Sequence, residues 1–288
     1  MVNEIAVISG KGGTGKTTVC VALGTLAGNV VMADCDVDAP DVHILLSPTI
    51  KSKTDFVASK VAVIDPNACT ECGLCEEKCR FHAIANSKVD PISCEGCGVC
   101  AHVCPENAIE MVDRQSGYLY DSDTRIGPLV HAKLLPGEGN SGRLVTEVRK
   151  LSTEVATEKG ISTVLIDGSP GIGCPVIATV TGIKLGVIVT EPTMSGIHDM
   201  QRVVELLSRF KVKTTVIINK FDLNTENTEA IEHYCKDNDI EILGKIKFDT
   251  VMTRSMVAAK TLPEYAPDYE ITSLLRNTWG RILELLPS

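Results

Sequence analysis

The chain has 288 residues and a formal charge of −9, and 44% of its residues are apolar, with only one Trp, five Phe and five Tyr. That length suits one large domain and a small module, and the aliphatic bias predicts a mostly parallel sheet with helices on both faces. The acidic balance argues against broad attraction to nucleic acid, and no apolar run approaches the roughly 20 residues of a membrane span, so neither nucleic acid nor a membrane is an expected partner.

The first strand, residues 4 to 9, lies so near the first residue that no signal peptide is expected, and the expectation is a soluble cytoplasmic protein. It runs into Gly10-Lys11-Gly12-Gly13-Thr14-Gly15-Lys16-Thr17-Thr18, which opens a helix over 16 to 28. A Gly-rich string between a strand and a helix predicts a phosphate loop. Gly12, Gly13 and Gly15 let the backbone turn tightly around Thr14 and point its N–H groups inward. Lys16 would neutralise the β and γ phosphates, Thr17 would ligate Mg²⁺, and Thr18 completes the nucleotide-binding set. A second strand, 30 to 34, ends in Ala33-Asp34-Cys35-Asp36-Val37-Asp38. Asp34 and Asp38 read either as site residues or as solvated loop carboxylates.

Eight of the 12 cysteines then crowd into positions 69 to 104 within a repeat of period 25. Asp65-Pro66 recurs as Asp90-Pro91, and Ala83-Ile84 as Ala108-Ile109. Cys69, Cys72, Cys75 and Cys79 recur as Cys94, Cys97, Cys100 and Cys104. This is the spacing of bacterial two-cluster ferredoxins, and it predicts two [4Fe-4S] clusters with crossed ligation. Cys69, Cys72, Cys75 and Cys104 would hold one; Cys94, Cys97, Cys100 and Cys79 the other. Zinc is the alternative for paired C-x₂-C spacings. Pro105 follows Cys104 whereas Arg80 follows Cys79, which predicts altered hydrogen bonding around that cysteine and unequal cluster potentials.

Beyond the block, 136 to 142 is Gly-rich and reads as a mobile loop, either a flexible surface linker or a nucleotide-dependent hinge. Strands follow at 163 to 167, 185 to 190 and 214 to 219, with helices at 143 to 159, 198 to 210, 227 to 237 and 271 to 286. The block therefore interrupts an α/β domain, residues 1–59 and 113–288, as an insertion of residues 60–112. Cys20, Cys35 and Cys235 read as small buried side chains, and Cys174 as a structural thiol or a bridging-cluster ligand. The last helix is expected to cover the core, with a membrane-binding helix as the alternative.

The string Lys11-Gly12-Gly13-Thr14-Gly15-Lys16-Thr17-Thr18 resembles the deviant Walker A motif of the MinD, ParA, Mrp and nitrogenase iron-protein superfamily. Asp34-Cys35-Asp36 resembles its switch I, and Asp167-Gly168-Ser169-Pro170-Gly171 its Walker B and switch II. The resemblance implies a P-loop NTPase fold carrying an inserted α+β ferredoxin module. It also implies that Lys11 reaches the nucleotide of a second subunit, hence a nucleotide-dependent homodimer. Asp36 would orient the attacking water, Asp167 would hold Mg²⁺ through its water shell, and the Gly171 amide would sense the γ phosphate. Asn219, in Asn219-Lys220-Phe221-Asp222, would contact the purine. That string also resembles the guanine-reading NKxD of GTPases, so ATP rather than GTP rests on Lys11. The implied catalytic set is Lys11, Lys16 and Asp36. Three functions compete: ATP-driven dimer switching coupled to electron transfer toward a redox or iron-sulfur protein partner, iron-sulfur cluster delivery, and a MinD/ParA-like positioning switch with structural or sensing clusters.

Overall fold

A computed structural model describes residues 2–286. In chain order it runs β1 (Asn3–Ser9), α1 (Lys16–Ala27), β2 (Val31–Asp34), α2 (Val42–Leu46), β3 (Thr49–Ile64), α3 (Leu74–Lys78), β4 (Ile84–Ala85), β5 (Lys88–Val89) and α4 (Val99–Val103). Next come β6 (Ile109–Thr124), β7 (Gly127–Leu134), α5 (Ser141–Glu158), β8 (Thr163–Pro170), α6 (Cys174–Val180), β9 (Leu185–Thr190) and α7 (Met194–Arg209). The chain closes with β10 (Lys213–Asn219), α8 (Thr225–Asp237), β11 (Glu241–Ile246), α9 (Thr250–Val257), α10 (Leu262–Tyr265) and α11 (Glu270–Leu285). Two compact units result: one up to Lys53 with Leu119–Lys133 and from Ser141 onward, the other Thr54–Tyr118 with Leu134–Asn140.

In the first unit the strands stand in the order β11-β10-β9-β1-β8-β2-β7, every neighbouring pair parallel. Buried strands of a parallel sheet need apolar side chains on both faces, and β1 shows why two helix layers form. Ile5 and Val7 join a cluster with Val19 and Cys20 of α1 and Ile271, Leu275, Trp279 and Ile282 of α11. Ile8 points the other way, so that a side chain on Gly168 would meet Ile8 and Thr179 of α6. The last helix thus covers the core, although Leu283 lies on its exposed side. No helix among the described residues is long and apolar enough to cross a membrane. Cys20, Cys35 and Cys235 are buried and Cys174 is exposed.

The second unit repeats its hydrogen bonding along with its sequence. Asp65 N–H donates to Ala108 O (2.8 Å) and Asp90 N–H to Ala83 O (2.7 Å), so each half closes the other. Helices α3 and α4 follow Gly73 (φ 73°) and Gly98 (φ 75°), left-handed positions that favour glycine. Ala62, Ile84, Cys100 and Ile109 form its small core. The 136–142 stretch, expected to be a mobile loop, is tethered through Glu138. Its side chain, 4% exposed, pairs with Arg114 and accepts from Ser59 Oγ at 3.1 Å. The reason is local: a buried carboxylate needs compensating partners, and the Gly-rich composition concealed the one acidic residue that makes them.

Candidate functional site

Between β1 and α1 the chain turns through Gly13 (φ 82°) and Gly15 (φ 87°). Gly15 is also needed for space, because a side chain there would meet Asn219 Nδ2 at 2.4 Å. No side chain caps the N-terminus of α1, so its first N–H groups are left for an anion. Thr14 Oγ1 is buried without a partner. A buried unmet hydroxyl costs about 1–3 kcal/mol, and a phosphate oxygen in the loop would relieve it.

At the start of α1 three predicted residues meet. Lys16 Nζ donates to Asp167 Oδ1 (2.7 Å), and Thr17 Oγ1 donates to Asp167 Oδ2 (2.7 Å). Burial pulls the Lys16 ammonium down, but the charge and hydrogen bond of Asp167, with Asp34 and Asp36 behind it, outweigh burial and raise it. Asp34 lies opposite Asp167 in the β2–β8 register. Burial, reinforced by Asp167, pushes its carboxyl well above the ordinary range. It accepts the N–H groups of Asp36 (3.1 Å) and Val42 (3.2 Å), and so shapes the loop after β2. Burial likewise raises Asp36 to about 6, against the opposing pull of Lys16. The Gly171 N–H is not free: it donates to Ser9 O at 2.9 Å. Sensing a phosphate would require that bond to be exchanged.

The loop opens into a cleft of about 500 Å³ that reaches Asp36, Asn219, Phe248 and Met252. Asn219 braces the phosphate loop, Nδ2 donating to Thr14 O (2.8 Å) while Oδ1 accepts from Lys220 N–H (3.0 Å). The far wall, Lys247 to Met256, was not anticipated. A signal for it exists, since Lys-Phe-Asp occurs twice, at 220–222 and 247–249, each time just after a strand of the sheet. The two copies are joined: Asp222 Oδ1 accepts the Phe248 N–H at 2.6 Å. Asp249 in turn accepts from Val251 N–H and the Tyr269 hydroxyl. Asp222 thus commits one carboxylate oxygen to tying the two copies together.

Lys11 is held apart from this cleft. Its ammonium contacts Glu191 Oε1 (2.7 Å), Thr193 Oγ1 (3.1 Å) and Ser195 Oγ (3.0 Å).

In the second unit the eight cysteines surround two cavities. Cys69, Cys72, Cys75 and Cys104 line one; Cys79, Cys94, Cys97 and Cys100 line the other. Each cavity therefore draws three thiols from one half of the repeat and the fourth from the other half. Among the described residues, no three Cys, His, Asp or Glu side chains gather where a single metal ion could sit. Sulfur atoms accept backbone N–H groups: Ala83 to Cys79 and Ala108 to Cys104, both at 3.4 Å. Arg80 in place of proline leaves that bond unchanged. Cys69 accepts a further N–H, from Glu71 (3.4 Å). No disulfide joins any of the 12 cysteines.

Residues 5–262 match the family described as the CobQ/CobB/MinD/ParA nucleotide binding domain. The uncharacterized protein MJ0578 of Methanocaldococcus jannaschii is 37% identical over 230 residues, 79% of this chain and 81% of that protein. The cell division ATPase MinD of Pyrococcus furiosus superposes with a TM-score of 0.62 at 17% identity, covering 99% of this chain and 100% of that one. The septum site-determining protein MinD of Pyrococcus horikoshii OT3, solved with Mg-ADP, also gives 0.62, at 18% identity and 99% and 97% coverage. At such identities the likeness is one of fold.

Proposed function

Since the chain belongs to the CobQ/CobB/MinD/ParA nucleotide-binding family and is a P-loop ATPase, we propose that its ATP cycle drives dimer switching coupled to electron transfer through two [4Fe-4S] clusters. The observation that carries this reading is the pair of four-thiol cavities, each lined from both halves of the repeat. One zinc ion needs its thiolates around a single point at about 2.3 Å. A [4Fe-4S] cluster takes one thiolate per iron rather than four on one ion, and among the described residues no point gathers three such ligands for a single ion. Such a cluster supplies one-electron redox chemistry. The chain's own part is to donate N–H groups to the sulfurs of Cys69, Cys79 and Cys104, which favours the more negative reduced state.

On the nucleotide side, the loop amides and Lys16 bind the phosphates, and Thr17 and Asp167 hold Mg²⁺ and its water shell. Asp36, ionised, orients the attacking water. Asn219 and Phe248 flank the base of ATP, and Lys11 reaches the nucleotide of the partner subunit. The MinD proteins with this fold carry cell-division names, which supports a second reading as a positioning switch with structural clusters. Anaerobic ATPase assay with the clusters reduced and then oxidised separates the two. Redox-dependent turnover supports coupling; identical rates in both states, with no acceptor reduced faster when ATP is present, leave the positioning switch.

A further inference from the structure

The turn from β9 into α7 presents Glu191 on a fixed backbone. Glu191 O accepts from Thr193 N–H (2.8 Å), and Thr193 Oγ1 caps α7 by accepting from Gly196 N–H (3.0 Å). A side chain on Gly196 would strike Glu191 O at 2.3 Å. Asn227 Nδ2 donates to Pro192 O (3.1 Å), tying the turn to α8.

From this turn the Glu191 carboxylate, 14% exposed, bridges two lysines: Oε1 to Lys11 Nζ at 2.7 Å and Oε2 to Lys220 Nζ at 2.8 Å. Lys220 also donates to Gly13 O (3.1 Å), so it pins the phosphate loop itself. A lysine ammonium has three donors. Those of Lys11 are matched by Glu191, Thr193 and Ser195. With its donors engaged in this way, Lys11 has none left for a phosphate.

We propose that Glu191 is a positioning residue that withholds Lys11 from nucleotide, and that nucleotide closure exchanges the Glu191 carboxylate for a phosphate while Lys220 stays on the loop. This rests on the reading of Lys11 as a group that reaches the nucleotide of a second subunit. Burial would raise the Glu191 carboxyl, but hydrogen bonds and charge from Lys11 and Lys220 bring it below the ordinary glutamate range, so it stays ionised at neutral pH. The two lysines differ in what holds them. Lys220 keeps a backbone carbonyl if Glu191 lets go, whereas Lys11 keeps only two hydroxyls, and a phosphate dianion outcompetes those.

The test is the dimer dissociation constant, by analytical ultracentrifugation of the full chain with Mg²⁺ and a non-hydrolysable ATP analogue. Glu191→Gln keeps the size and removes the charge. It should tighten the dimer by about three- to tenfold, the range of a partly screened ion pair. Ser195→Ala, which removes one Lys11 acceptor and leaves Lys220 untouched, should act in the same direction by about twofold, and it keeps the test alive if Glu191→Gln folds poorly. Neither gain should survive in a Lys11→Ala background. If Lys11→Ala loses the dimer while both other variants associate like wild type or more weakly, the withholding role is overturned alone. If Lys11→Ala dimerises like wild type, the dimer reading falls and this proposal with it.

Discussion

Replacing Lys16 with Met removes the lysine bonded to Asp167 and leaves two carboxylates, Asp34 and Asp167, with 0% exposure. Breaking a buried pair in this way typically costs about 3–5 kcal/mol. The site itself sets a ceiling, because the folded variant can escape the charge by taking up one proton. From the ordinary aspartate value of 3.8 to pH 7 is roughly three units, and at about 1.36 kcal/mol per unit the ceiling is about 4 kcal/mol. A carboxylate whose folded pKa lies above its unfolded value is most favourable below the unfolded value and loses that advantage as pH rises through the folded one. The deficit of Lys16→Met should therefore shrink on acidification, by about 1.4 kcal/mol per unit between pH 7 and pH 5. At about 2–4 °C per kcal/mol for a chain of this size, the nucleotide-free variant should melt roughly 8–15 °C below wild type at pH 7 and several degrees closer at pH 5. Calorimetric melts at both pH values test this, with Lys16→Met/Asp167→Asn recovering most of the loss. A pH-independent deficit, or one below about 1 kcal/mol, refutes the assignment of Lys16 as the cation that makes this carboxylate pair tolerable.

If ionised Asp36 orients the water, kcat for ATP should rise with pH around a midpoint of about 6 and level off above it, and Asp36→Asn should be slow and lack that limb; a limb that persists in the variant removes Asp36 from the role. Phe248→Ala should weaken ATP and ADP alike by about tenfold, the scale of lost base stacking, with kcat little changed; unchanged affinity by calorimetry would mean the base does not use this wall. Cys79→Ser should disturb the cluster signals of Cys94, Cys97 and Cys100 rather than those of Cys69, Cys72 and Cys75, as read by Mössbauer and EPR spectra of the reconstituted protein. An effect confined to the Cys69 group would undo the crossed assignment.

Much of this was legible because it rests on short-range rules. Strands β1, β8, β9 and β10 each hold a run of at least three apolar residues, and the phosphate loop and its two acidic partners announce themselves by their place at the ends of such runs. The crossing of the cysteines was legible from the period of 25, which sets Cys79 and Cys104 in equivalent positions. The missing parts depend on long-range pairing. β3 and β6 each run 16 residues with polar and charged side chains interspersed, and β11 carries Gly244 and Lys245 in its middle, so neither pattern marks a strand. Without β11 the Phe248 wall had no anchor. Glu191 was invisible for a different reason: a single acidic residue in a Thr-Glu-Pro-Thr turn has no pattern, and its meaning comes from two lysines distant in sequence.

The central claim is that nucleotide and clusters are coupled, and a redox titration of the anaerobic holoprotein, followed by EPR with MgADP and again with MgATP, tests it most directly. Coupling predicts midpoint potentials that move by about 30–60 mV between the two nucleotides, about 59 mV being one factor of ten for a one-electron couple. Superimposable titrations would contradict it and leave an ATPase whose clusters take no part in its cycle.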